Sequence, residues 1–426
     1  MKCREMPQRT NSRNTRKPTL QYIVLVLLTA SSVVCAADPP QRSNMPSPPS
    51  THAAAGDGVR QPGEKRDIVV YANDKEYASF PIIARGDQEL VLLFQVQDLA
   101  KLRASGEHPH YQRLAVPRWA TSRDSGLTWK IHKTRPSFGG VRDIGYGSAP
   151  LEDGRIVTLT FSSTEPLQAI LQDGITGYRP YQDASKEQGD KYPVTSLGPF
   201  QRFYPMGMKR LANGTLLASG YVPFKSAAGR DKTTAAFLTS SDAGRTWTYL
   251  SHIPNDNPFD FSEPDIIEIR DGRLLTLLRV DWDTIPVEQR PDEAKVGYGY
   301  FLYQAESGDG GRTWSEPVQL PIWGHPPCLQ RLASGNILLV YGYRRSPWEI
   351  RAILSRDDGR TWDMSTMRTV HTFNPGNLDM GYPVATQLAD ESIVCSFYGY
   401  STKDVGEQTP HGIFVSVFDE KWLTGN

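Results

Sequence analysis

One octapeptide, Ser-x-Asp-x-Gly-x-Thr-Trp, occurs four times in this 426-residue chain, and no other feature narrows its possible folds so far. The copies run from Ser122 to Trp129, Ser240 to Trp247, Ser307 to Trp314 and Ser355 to Trp362. Self-similarity at intervals of tens of residues is the mark of a repeat architecture. Each copy has the chemistry of a fastened turn: an Asp whose carboxylate accepts backbone N–H bonds, then, two residues on, a Gly that tolerates positive φ. The Thr-Trp pair that follows suits the start of a strand, with the indole covering the sheet. The boxes are expected to hold turns together and to do no chemistry.

A second repeat is independent of the first. Six segments place two short apolar runs around a turn, at 82–91, 150–157, 209–217, 266–275, 329–338 and 385–394. These are hairpin signals. Their turn positions, Gln88, Gly154, Gly214, Gly272, Gly335 and Glu391, are separated by 66, 60, 58, 63 and 56 residues, the size of a four-stranded propeller blade. The expected fold class is all-β, a six-bladed β-propeller with four Asp boxes, which follow hairpins one, three, four and five. Only 96–105 has a helical pattern. The octapeptide resembles the Asp-box, or BNR, repeat of the sialidase/neuraminidase family, and the resemblance implies the same six-bladed propeller.

Residues 1–37 read as a secretory signal peptide. Lys2, Arg4, Arg9, Arg13, Arg16 and Lys17 precede an uncharged apolar run at 22–34, and Ala36-Ala37 offers a cleavage site. That run is short for spanning a bilayer, so no stable membrane insertion is expected and the protein should be secreted or periplasmic. Residues 38–65, rich in Pro, Ser and Ala, have the composition of a disordered linker, and the propeller should fill 66–426. Cys328 and Cys395 are expected as buried free thiols, although export would permit a disulfide. With 47 basic against 47 acidic side chains and a pI near 7.1, nothing argues for nucleic acid as a partner. No Cys/His spacing suits a metal, no cofactor is implied, and the chain is expected to be a monomer.

Function in a propeller should sit around the axis, at the starts of the innermost strands. A Pro precedes five of the six hairpins, in Phe80-Pro81, Tyr204-Pro205, Glu263-Pro264, His325-Pro326 and Tyr382-Pro383; blade two has Asp143-Ile-Gly-Tyr146 instead. If these lie on one rim, Phe80, Tyr146, Tyr204, Glu263, His325 and Tyr382 share a pocket whose aromatic, carboxylate and imidazole groups suit a sugar. The segments 262–279 and 380–390 resemble the sialidase blades that carry, respectively, a Glu with a closing Arg and a nucleophilic Tyr. By that resemblance Tyr382 is the nucleophile, Glu263 its base and Arg279 a substrate clamp. A sialic acid has a carboxylate on its anomeric carbon, which repels an anionic nucleophile but not a phenol, and sialidases with a Tyr nucleophile are a known exception among glycosidases. The phenol needs a partner to take its proton, and arginines bind the substrate carboxylate through paired N–H donors.

The family's blade-one arginine is absent, since Ser79-Phe80-Pro81 stands there, and Arg142 or Arg202 would have to compensate. Blade five should supply a further clamp, Arg351 in the strand leading to its box or, second, Arg344. The general acid should come from the excursion 95–117, with Asp98 taken first and Glu107, His108 and His110 beside it. The expected activity is therefore an exo-α-sialidase-like glycoside hydrolase acting on a glycan or glycoconjugate. Two alternatives stay open: a propeller-type lyase of uronic-acid polysaccharides, using the same His and Tyr groups for proton abstraction, and a glycan-binding propeller without turnover.

Overall fold

The computed structural model describes residues 60–111, 114–136, 141–145, 147–160, 166–173, 189–296, 299–373, 378–400 and 411–425. Its strands form six antiparallel sheets, one per blade. The innermost strands are Glu76–Arg85, Ser148–Pro150, Tyr204–Arg210, Asp260–Glu268, Pro327–Arg331 and Gly381–Gln387. Each of the six repeats read in the sequence is the turn between the first and second strands of a blade. The ring closes through blade six, whose outer strand is Arg66–Ala72 from the opposite end of the chain, paired with His411–Phe418. Ser416 fastens that closure by donating from Oγ to Asp67 Oδ1 at 2.6 Å.

The segment that was expected to begin blade two does something else. Asp143–Ile144 pairs with Glu76–Arg85 as a fifth strand of blade one, and blade two starts at Ser148. The expected linker also ends earlier than composition suggests. Arg60 reaches Asp419 at 2.9 Å with both side chains 9% exposed, and the Gly63 amide donates to the same carboxylate, so 60–65 is docked on the propeller. The expected signal peptide and residues 38–59 of the expected linker lie outside the described residues.

The boxes sit between the third and fourth strands of blades one, three, four and five, and each repeats one hydrogen-bond pattern. In blade five Ser355 Oγ donates to Asp357 Oδ1 at 2.9 Å and accepts the Gly359 amide at 2.8 Å; the Thr361 amide and hydroxyl donate to the two Asp357 oxygens at 2.8 and 2.6 Å. Gly359 has φ +85°, and a Cβ there would meet Leu275 of the preceding blade at 2.5 Å, so only glycine fits. The box thus locks a turn against the neighbouring blade. Trp362 completes that contact through Nε1 to Gln304 Oε1 at 3.0 Å, and its indole joins the packed layer between blades four and five.

Those carboxylates make the fold acid-sensitive. At Asp124, Asp242 and Asp357 burial opposes ionisation, but the Thr and Ser bonds outweigh it and hold the groups below the usual carboxylate range; at Asp309 the Thr313 bonds lead. A depressed folded-state pKa gives stability that is fully present above the unfolded value and lost as pH falls below it. We therefore expect the urea midpoint to hold between about pH 7 and 5 and to fall once pH drops below about 4, the unfolded Asp value. Asp357→Asn should flatten part of that fall. A midpoint level down to pH 3 would contradict the assignment.

The rest of the core is carried by apolar layers between adjacent blades, largest where blades one, five and six meet around Phe94, Tyr398, Phe414 and Phe418. Cys328 and Cys395 are buried as thiols in that layer, with no disulfide between them. The helix expected near 96–105 is Leu99–Ser105. No helix among the described residues is long and apolar enough to cross a membrane.

Candidate active site

Blades one, four and six share one backbone device. Their innermost strands break register at Ser79/Ile82, Ser262/Asp265 and Gly381/Val384, so each carries a bulge just before the Pro that removes a ladder donor. The bulged residues, Phe80, Glu263 and Tyr382, have φ of 52°, 40° and 47°. Non-glycine residues are rarely found there, and three strained positions converging on one place are a functional signature. Each bulge turns a side chain out of its sheet, and the three side chains meet.

Tyr382 Oη donates to Glu263 Oε1 at 2.5 Å, across 119 residues of sequence. Arg279 Nη1 donates to the other oxygen, Oε2, at 2.6 Å and lies 3.5 Å from the Tyr382 hydroxyl. Behind it, Nε and Nη2 both reach Asp281 Oδ1 at 2.8 Å, and Ser262 Oγ donates to that carboxylate's second oxygen. All three charged side chains are largely covered, at 6% for Arg279, 12% for Glu263 and 15% for Asp281. Burial, and then the Glu263 charge, push the Tyr382 phenol well above its ordinary value, against the smaller opposing pull of Arg279 and Arg344. The phenol is therefore protonated and aimed at a carboxylate able to receive its proton.

Arg344 supplies the second cation. Its guanidinium carbon stands 5.3 Å from the Tyr382 ring centroid, and the side chain is 2% exposed. It reaches this place across Gly381, whose φ of +122° is open only to glycine, and a Cβ there would lie 3.3 Å from Arg344 Nη2. Gly381→Ala should strain the backbone by about 1–3 kcal/mol and displace both Arg344 and Tyr382. We expect a Tm loss of a few degrees together with at least a tenfold fall in ligand affinity or turnover, and a variant equal to wild type in both would refute this reading.

A second polar cluster adjoins the first, with Phe80 between them. The Phe80 ring is edge-on to Tyr382 at 4.9 Å and to His110 at 5.2 Å. His110 Nε2 is 2.8 Å from Asp379 Oδ1. Tyr77 and Tyr398 donate their hydroxyls to Asp379 at 2.9 and 3.1 Å, and His411 Nε2 is 3.1 Å from its backbone carbonyl. Burial raises the Asp379 pKa, yet His110, His411 and Tyr77 together hold it well below the usual range, so it is a carboxylate.

Several expected residues are placed elsewhere. Asp98 is exposed and caps the helix Leu99–Ser105, accepting the Lys101 amide at 2.9 Å; the capping bond defines it, and it is withdrawn as the general acid. Arg351 belongs to the third strand of blade five, where it pairs with Glu349 at 2.6 Å and lies 3.5 Å over the Tyr343 ring. The order of the two blade-five arginines is thus reversed, because Arg344 follows the second strand and stands over the Tyr382 ring, whereas Arg351 is held by Glu349 and Tyr343. His325 is fully buried beneath Gly299, whose Cβ position would fall 2.2 Å from the ring, so it presents no surface to a sugar. Tyr204 is half-buried and stacks on its cross-strand partner Tyr221 at 4.9 Å. Tyr146 lies outside the described residues. Arg142 pairs with Asp87 on the hairpin-turn face, away from the bulges, and Arg202 is exposed. Ser79 is fully buried, and neither arginine replaces the missing cation.

Asp281 and Asp379 escaped the sequence reading, as did Tyr77, Tyr398 and His411 around Asp379. Asp281 is spaced two residues from Arg279, the same face of one strand, and that alternation was a legible signal. Asp379 stands three residues before Tyr382 in a loop, where no periodicity marks it.

Five blades of four strands and one of five, with Asp boxes in four of the six, make a six-bladed β-propeller whose innermost strands bring a Tyr, a Glu and an Arg together. Residues 209–400 match the family described as BNR repeat-like domain. No curated protein matches the sequence. Among solved structures the chain is similar to a Dyadobacter fermentans protein of unknown function, with 24% identity, a TM-score of 0.61, and coverage of 84% of this chain and 99% of that one. It also matches a Streptococcus pneumoniae sialidase at 12% identity and TM-score 0.48, covering 82% of this chain and 70% of that one. A Trypanosoma rangeli sialidase in complex with sialic acid matches at 14% identity and TM-score 0.42, covering 80% of this chain and 54% of that one. At these identities the likeness is one of fold.

Proposed function

We propose that the protein is an exported, monomeric, retaining exo-glycoside hydrolase that removes a terminal acidic sugar, sialic acid or a close relative, from a glycan. The observation that supports this most is the 2.5 Å hydrogen bond from the Tyr382 hydroxyl to Glu263, braced by Arg279 on the far oxygen. In the first half-reaction Tyr382 Oη attacks the anomeric carbon, the bond from that carbon to the aglycone oxygen breaks, and the phenol proton passes to Glu263. Arg279, already within 3.5 Å of Oη, stabilises the developing phenolate. Arg344 over the Tyr382 ring and the covered Arg279 give the pocket two cations at which a sugar carboxylate can be held. The blade-one wall offers Phe80 and His110 rather than a third arginine. That wall suits an acidic sugar held on one side only.

The test is turnover by the full chain of 4-methylumbelliferyl α-sialoside and, in parallel, the β-glucuronide, followed by fluorescence. Release from either supports the reading. Absence of both from folded protein, with a near-ultraviolet product from a uronic-acid polysaccharide, would replace hydrolysis by elimination. Binding without any product would leave a lectin.

A further inference from the structure

Asp98 is excluded as the acid, yet cleavage of a glycan needs a proton for the departing oxygen and a base for the incoming water. The geometry points to the His110–Asp379 pair as that acid/base, with His110 the catalytic residue and Asp379 its positioning partner; this rests on the glycosidase reading above. Three observations carry it. His110 is separated from Tyr382 by a single phenyl ring, Phe80, which packs edge-on to both. The His110 side chain is 32% exposed, whereas Tyr77, Tyr398 and His411 behind Asp379 are buried at 3%, 0% and 3%. Asp379 is fixed by two phenols and lies in the segment that also carries Tyr382, so nucleophile and acid/base are set by one stretch of chain.

The proton count closes. As Tyr382 attacks and the glycosidic bond breaks, His110 gives its imidazolium proton to the aglycone oxygen, yielding an alcohol and a neutral imidazole. Water then attacks the anomeric carbon, its proton passes to His110, the bond to Tyr382 Oη breaks, and Glu263 returns the proton to the phenolate. The sugar and the starting enzyme are restored. Asp379 stays ionised throughout and holds the imidazole, the part such a carboxylate plays beside a catalytic histidine. His110 is met by Asp379, from the loop before blade six's first strand, and by His108 in its own turn at 4.7 Å between ring centroids; His411 and Tyr398 from the other strands of blade six and Tyr77 from blade one are the groups set against Asp379.

The test compares two sialosides of one sugar, 4-methylumbelliferyl α-sialoside, whose aglycone leaves without help, and 3′-sialyllactose, whose aglycone needs a proton. His110→Ala should lower kcat/KM on sialyllactose about 10²–10⁴-fold and lower it far less on the aryl sialoside. On sialyllactose both His110→Ala and Asp379→Asn should lower kcat while leaving KM close to wild type, a split that a merely structural loss would not give. Because His110 is on a partly exposed turn, its variant folds even if Asp379→Asn does not. Equal losses of His110→Ala on both substrates, or no change on either, would overturn the assignment while leaving the nucleophile intact. Wild-type protein inert on both sialosides and on the β-glucuronide would overturn it together with the glycosidase reading, and full activity in Tyr382→Phe would overturn that reading through its nucleophile.

Discussion

Replacing Tyr382 by Phe should reduce turnover of any glycoside substrate by about 10³-fold or more, the scale seen when an enzyme's nucleophile is removed. The substitution deletes one oxygen and leaves the ring. Phe at 382 can still pack edge-on to Phe80 and under Arg344, and the bulge that positions it is a backbone feature fixed by Pro383 and the register shift. Glu263 loses one donor but keeps Arg279, so the change in stability should stay within about 1–3 kcal/mol. Substrate binding should be nearly unchanged, because the clamps are arginines. The diagnostic pattern is a collapse in kcat with a KM close to wild type and an intact melting transition. A Phe variant within tenfold of wild type would remove Tyr382 from the chemistry.

The second large effect is at Arg279. It bridges Glu263 and Asp281, and all three groups are mostly covered. Removing one partner of a buried ion pair leaves uncompensated charge in a poorly solvated place, which typically destabilises by about 3–5 kcal/mol. Arg279→Met should therefore lower Tm markedly and abolish activity, since Glu263 would lose its brace and the phenolate its nearest cation. Arg279→Lys separates the two losses: the charge survives, but a single ammonium cannot reproduce contacts made through Nε, Nη1 and Nη2. Lys should recover most of the stability and little of the activity, as judged by thermal melts alongside kinetics. A Met variant as stable as wild type would contradict the electrostatic role.

How much of this was legible in the sequence depends on which physical signal each residue leaves. The boxes and hairpins are local, since their hydrogen bonds close within about eight residues, so the turn chemistry reports the blades directly and the blade count follows. Tyr382 and Glu263 sit at repeat-equivalent positions before a Pro, so the repeat frame brought them together, while Arg279 on the next strand came from the resemblance of 262–279 to a sialidase blade. Asp143–Ile144 misled because a two-residue strand does not say which neighbouring blade it joins. Asp98 misled because an acidic residue before a helix is at once a plausible acid and a good N-cap, and the helix took it. The Arg344/Arg351 choice turned on which strand of a blade each occupies, and strand order within a blade has no local signature. His110 and Asp379 lie 269 residues apart, and only ring closure makes them neighbours.

That closure has a temporal meaning. Tyr382 and Asp379 belong to the blade that is completed by Arg66–Ala72, and the two fastening residues Asp67 and Ser416 are 349 positions apart. Emerging from a ribosome or a translocation pore, the chain must hold its first propeller strand unpaired until its last one arrives. Every earlier blade can form meanwhile, but Glu263, Phe80 and His110 then face an incomplete cleft. The Tyr382–Glu263 and His110–Asp379 pairs form only when the circle shuts, so a prematurely ended or C-terminally clipped chain would lack the site however well its first five blades had folded.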